Sequence, residues 1–259
     1  MNDYEREQKA LEMALTCKNP TRKQIEDGLQ DPNNQIRDAW LRREDILIYE
    51  DMIKKFFREE DNANSNWVGR SDFHPDHDTI CRNLRSDNDL VRFIWSRTHP
   101  DVGSEVLSDL LLDIDYDVRA NTAGNPHLSP TREQIMMGVL DKHPKVRAAW
   151  ACREDISLST RQIEDLMSDE VCNVRKSIAR NRQFHPTENM VMMGITDSDE
   201  DVRLIWVQRT DYEVTRRMLD VGLKDHNKVI EQEWMGRWRN EVESTIAENE
   251  DDNVSAPSI

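Results

Sequence analysis

Four cysteines stand in 259 residues, and no two of them form a Cys-x-x-Cys pair. Cys17, Cys81, Cys152 and Cys172 also share no common spacing. Reduced thiols packed between helices are therefore expected, in place of a disulfide framework or a zinc site. No stretch approaches the roughly 20 apolar residues of a membrane span, and the acidic N-terminus lacks the apolar core of a secretory leader. The expectation is a soluble, cytoplasmic chain that meets no membrane. The sequence holds no Gly-x-Gly-x-x-Gly after a strand, no P-loop, no nucleophile elbow and no His-Glu-x-x-His. No catalytic residue, cofactor or metal is assigned. Runs alternating β-branched and polar residues are missing too, which argues against strands. Aromatics amount to 6%, yet seven of them are Trp.

What is present is repetition. Thr131–Asp155 reads TREQIMMGVLDKHPKVRAAWACRED, and Thr21–Asp45 reads TRKQIEDGLQDPNNQIRDAWLRRED. Self-similarity of this kind decides the fold before any other motif is weighed. A branched residue ahead of a recurring Arg serves as a marker. It falls at Ile36, Val91, Val118, Val146, Val174, Val202 and Ile230, with Ala63 as a degenerate form between the first two. The marker recurs at a step of about 28 residues, within the range of known helical arrays, so the chain carries eight copies of one unit. Eleven positions before the marker stand Ile25, Ile80, Leu107, Ile135, Ile163, Val191 and Leu219. Two short amphipathic helices per copy fit this spacing. At 37% hydrophobic, 33% charged and a mean hydropathy of -0.82, the chain is polar for a globule, as befits units that bury only the faces meeting their neighbours.

The organisation read along the chain has three parts. Residues 1–19 form an N-terminal capping helix, with Leu11, Ala14 and Leu15 at helical spacing before Pro20. Residues 20–240 form the repeat array, expected as one elongated domain. Residues 241–259 form an acidic, solvated tail. First helices open on Thr21, Asp76, Thr131, Ser159, Thr187 or Thr215, and Gln24, Gln134 and Gln162 complete capping boxes. Gly28, Gly138, Gly194 and Gly222 sit inside first helices, where each costs about 1 kcal/mol relative to Ala. Their face is that of the buried Ile and Leu positions, so they are read as room for a close helix or a Trp ring. Asp31, Asp113, Asp141, Asp169, Asp197 and Asp225 stand at the turn between helices, and Arg37, Arg92, Arg119, Arg147, Arg175 and Arg203 directly follow the marker. In register they can pair within or between units as a ladder. The competing reading, an Arg stripe that grips phosphate, has the Asp row cancelling much of its field.

The pattern Asp-x4-Val-Arg followed by Ala and a Thr-capped helix resembles HEAT-like repeats. Val118–Pro126 (VRANTAGNP) and Val174–Asn181 (VRKSIARN) also resemble the variant leucine-rich repeat. The resemblance covers about 220 of the 259 residues. It implies an all-α fold: a right-handed α-solenoid, or superhelix, with an N-terminal cap. The array would stack about eight two-helix HEAT-like repeats, each of about 28 residues. Arrays of this kind are familiar as protein-binding scaffolds, and one HEAT-like family consists of alkyl-purine DNA glycosylases.

Four positions after the marker stand Trp40, Trp67, Trp95, Thr122, Trp150, Ile178, Trp206 and Trp234. Seven after it stand Arg43, Arg70, Thr98, Asn125, Arg153, Asn181, Arg209 and Arg237. The rows vary together, and a spacing of three lets a guanidinium lie over an indole. Asp45, Asp72, Asp155 and Asp211 follow four of the Arg residues. One account has Trp filling the space over the in-helix Gly while Arg covers its edge and bonds the Asp. The other has the second helices lining an inner curve, where the row forms a partner-binding strip. On that account the candidate site is Trp40, Arg43, Trp67, Arg70, Trp95, Trp150, Arg153, Trp206, Arg209, Trp234 and Arg237. His74-Pro-Asp-His77 with Asp78 has a metal-like composition, but it sits at a repeat junction where a polar turn and a helix-starting Pro recur.

The net charge is -16, and removing the six acids of residues 241–259 leaves the array at -10. Such a field repels phosphate backbones and favours basic partners. The expected function is non-catalytic binding of another protein, a basic one, along the inner face, as adaptor or inhibitor and as a monomer. A nucleic-acid-binding protein or DNA glycosylase-type enzyme is the rival that the resemblance supplies, and a pI of about 4.9 opposes its basic groove. A structural assembly component is the third reading.

Overall fold

The computed structural model describes residues 2–48, 52, 75–98 and 100–239. Most of the second copy and the segment 241–259 lie outside the described residues. Among the described residues there is no strand. The fold is all-α, an α-solenoid of short two-helix repeats. The chain divides into two compact units, Met1–Ser129 and Pro130–Ile259, whose boundary coincides with the seam between the fourth and fifth copies. Periodicity alone gives one continuous array, because the marker keeps the same step on both sides of this seam, from Val118 to Val146 and on to Val174.

The first unit opens with helix Asp3–Thr16 and continues with the pairs Arg22–Leu29 and Asn34–Leu41, His77–Leu84 and Asp89–Ser96, and Ser104–Leu110 and Tyr116–Ala123. Helix Asp3–Thr16 packs on Asn34–Leu41, as the second helix of one repeat packs on that of the next. The second unit holds Arg132–Val139 with Pro144–Ala151, Thr160–Met167 with Cys172–Arg180, Glu188–Ile195 with Glu200–Val207, and Arg216–Gly222 with the helical residues 228–239.

Helices of seven to nine residues are too short to persist alone, so capping and packing must hold them. Thr21, Asp76, Thr131, Ser159, Thr187 and Thr215 each accept from the backbone N–H three residues on, and Gln24, Gln134 and Gln162 close the boxes. The fourth copy has no such side chain. Its first helix starts at Gly103, whose φ of +81° is one that glycine adopts freely. All seven described marker residues are buried, from Ile36 to Ile230, and burying each contributes about 1.5–3 kcal/mol.

The Asp–Arg rows join successive copies. Arg92 grips Asp113 with Nε at 2.6 Å and a second nitrogen at 3.0 Å. Arg147 holds Asp169, Arg175 holds Asp197 and Arg203 holds Asp225 in the same two-pronged way, with Nε contacts of 2.6–2.7 Å. Each of these carboxylates also accepts from the N–H two residues on, and each Arg donates to the carbonyl six residues back. Turn, second helix and next repeat are thereby tied at one point. The cysteines form no disulfide, and Cys152 is exposed, unlike the packed thiol its sequence suggested.

Candidate functional site

The in-helix glycines and the Trp row meet inside copies one, five, seven and eight. A Cβ on Gly28 would stand 2.1 Å from Trp40 Nε1, and one on Gly138 2.0 Å from Trp150 Nε1. Gly194 and Gly222 face Trp206 and Trp234 just as closely. In two copies without the glycine a larger first-helix residue goes with a smaller one in the Trp position, Leu110 with Thr122 and Leu166 with Ile178, whereas copy three keeps Trp95 with Asn83 in place of the glycine.

The Arg row clamps one copy to the previous one. Arg209 donates to the carbonyls of Ala179 at 2.9 Å and Asn181 at 2.7 Å, which close the preceding second helix. Arg43 reaches Ala14 and Cys17 at the end of helix Asp3–Thr16, and Arg237 reaches Val207 at 3.1 Å. Asn181 does the same with one amide, donating to Ala151 at 2.9 Å and Arg153 at 2.8 Å. The last carbonyls of a helix lack internal partners and carry partial negative charge, so a cation or amide is well placed there. Asp45, Asp155 and Asp211 hold the guanidiniums of Arg43, Arg153 and Arg209 from the other side. Burial pushes the Asp211 carboxyl up, but the Arg209 hydrogen bond together with the charges of Arg209 and Arg182 leaves the group below its ordinary value.

The expected inner-face strip is therefore an interior row. Trp40, Trp95, Trp150, Trp206 and Trp234 are 1–2% exposed. Arg153 and Arg209 are buried, while Arg43 and Arg237 are half-buried. Trp67 and Arg70 lie outside the described residues. The reason is geometric: each indole set over an in-helix glycine points into its own copy, and its Arg neighbour follows it inward. Neither indole faces nor guanidiniums of the described row are open to a partner or a duplex.

The surface position that stands out lies on the first helices of the second unit. Ten, nine and six positions before the marker, copy one carries Glu26, Asp27 and Gln30, and copy six carries Glu164, Asp165 and Ser168. Copy five carries Met136, Met137 and Leu140 there, which are 52%, 52% and 66% exposed. Copy seven shares two of the three, Met192 and Met193, but has Thr196 in the third place, so the full apolar triplet is read by setting the copies against one another.

Beside this triplet a groove of about 690 Å³ runs between Arg132–Val139 and Thr160–Met167. Ile135, Met136, Val139, Leu140 and Leu158 make its apolar lining, with Arg132, Arg161, Gln162 and Asp165 at the rim. The next first helices pack directly, Thr160–Met167 on Glu188–Ile195 and Glu188–Ile195 on Arg216–Gly222. Here the second helices Pro144–Ala151 and Cys172–Arg180 pack on each other. Arg161 lies 3.9 Å from Asp165, and both side chains are exposed. The groove thus offers apolar contact edged by guanidinium donors. Of the His-Pro-Asp-His stretch, Asp76 caps helix His77–Leu84 and His77 is exposed; His74 lies outside the described residues. Among the described residues no three metal-binding side chains gather.

No family model matches the chain, and no curated protein matches it. A solved structure described as a leucine-rich repeat variant with a novel repetitive protein structural motif is similar over 82% of this chain and 80% of its own, at 20% identity and a TM-score of 0.40. No activity is carried over from it.

Proposed function

We propose that the chain is a non-catalytic, HEAT-like scaffold of the cytoplasm that binds another protein on the first helices of copies five and six. One observation supports this reading. The exposed Met136 and Leu140 line a preformed groove, with the exposed Met137 next to Met136 in the same helix, at positions where copies one and six are polar. Exposed apolar surface beside a concave seat is the usual mark of a docking site. The charge of -16 favours a partner that is basic as a whole, by steering its approach; the groove supplies the seat. The test is affinity capture with the intact chain and with Met136→Glu, Met137→Asp and Leu140→Gln combined. A partner recovered by both in equal yield would sink the reading, and one lost only with the triple variant supports it. No helix among the described residues is long and apolar enough to cross a membrane.

A further inference from the structure

Resting on that reading, we infer that the groove between Arg132–Val139 and Thr160–Met167 seats an amphipathic helix of the partner, whose apolar stripe enters the groove and whose flank carries carboxylates facing Arg132 and Arg161. The recognition mode follows by elimination. A partner strand needs a free sheet edge, and the described backbone has none. A polyproline segment needs an aromatic-lined groove, and no aromatic lines this one. Two first helices set apart can instead take a third between them, ridge into groove, over the about 12 Å that eight residues span.

The charge of the occupant follows from the rim. Arg132 and Arg161 stand on different helices and edge the groove, and Asp165 is the one carboxylate in its lining. Asp165 stands 3.9 Å from Arg161, so the charged groups of the lining sum to one net positive charge. The rim is cationic in a chain of net charge -16, so it selects an anionic flank where the distant field selects against one. Methionine suits such a seat, because its unbranched thioether adapts to whichever apolar side chains enter. The occupant is thus a helix with apolar residues at i, i+4 and i+7 flanked by Glu or Asp.

The test is fluorescence anisotropy with the full chain and three labelled probes, each about fourteen residues long. One carries Leu at helical spacing with Glu on the flank, one replaces Glu by Lys, and one breaks the Glu probe with proline. The Glu probe is expected to bind saturably and the other two about tenfold more weakly. Arg132→Glu with Arg161→Glu should reverse the preference between Glu and Lys probes. Equal binding of Glu and Lys probes, a preference that survives the double variant, undiminished binding of the proline probe, or no binding at all would each overturn the inference. If no probe binds while the triple variant still loses its captured partner, the occupant is wrong and the docking site stands. If neither experiment responds, both fall.

Discussion

Trp150 lies so close to Gly138 that a Cβ on the glycine would stand 2.0 Å from the indole Nε1. On propensity alone, Gly138→Ala would gain about 1 kcal/mol. A buried ring has nowhere to retreat, and overpacking costs about 1–3 kcal/mol, so a net loss of stability is expected. Gly236 is the internal control, since a Cβ there meets nothing within 4 Å. Gly236→Ala should therefore be neutral or stabilising by about 0.5 kcal/mol. Combining Gly138→Leu with Trp150→Ile reproduces the Leu166–Ile178 pair of copy six. Urea denaturation should find the combination more stable than the sum of its single changes by about 1 kcal/mol or more.

The clamp makes a second expectation. Arg209 is fully buried and bonds Ala179, Asn181 and Asp211. Arg209→Ala leaves Asp211 to Arg182 at 3.2 Å and strands two helix-end carbonyls in the interior, so a loss of about 3 kcal/mol is expected from thermal or urea melts. Arg209→Lys cannot reproduce the planar fork that spans these partners, and should recover only part of that loss. A lysine variant as stable as the original chain would remove the clamp from the account.

These two cases mark where the sequence was legible. Period, caps and core could be read because each depends on residue types at fixed spacing inside a copy, as Thr131 and Gln134 or Gly138 and Trp150 do. The partners of Arg209 could not, because the backbone carbonyls of Ala179 and Asn181, a full repeat earlier, have no letter of their own. Trp and Arg side by side on a helix look alike whether the pair faces a partner or the interior; only the direction of the helix, set by tertiary packing, decides. The groove depends on a gap between Arg132–Val139 and Thr160–Met167, which no spacing encodes. Met136, Met137 and Leu140 are legible as letters, but the sequence of their own helix does not say which of its apolar residues are buried; that depends on the packing around it.

The docking triplet separates binding from folding. Met136, Met137 and Leu140 are exposed, and copy one carries Glu26, Asp27 and Gln30 at the same places in the repeat. The combined substitution to Glu, Asp and Gln should therefore leave stability within about 0.5 kcal/mol by thermal melting, while abolishing partner capture. A large drop in melting temperature would mean that the three side chains hold the fold rather than a partner.

Acid should dismantle the ladder in a definite direction. Burial pushes the Asp169 carboxyl up, but the hydrogen bonds from Arg147 and the Val171 N–H outweigh it and hold the group below its ordinary value. Asp225 is held down against its burial in the same way by Arg203 and the Asn227 N–H. A carboxylate with a lower pKa folded than unfolded binds fewer protons in the folded chain. Its contribution is complete above the unfolded pKa of about 4 and is lost as pH falls through the folded one. The partners Arg147 and Arg203 are shifted upward, chiefly by those same hydrogen bonds, so they stay charged across this range. Melting temperature should hardly respond to these pairs between about pH 5 and 8 and should fall below about pH 4. Asp169→Asn removes the charge at all pH values, so it should cost most near neutrality, and its deficit should shrink as the original chain is acidified. A deficit that stayed constant down to about pH 2 would show that Asp169 acts by shape alone, and would take the electrostatic part of the ladder with it.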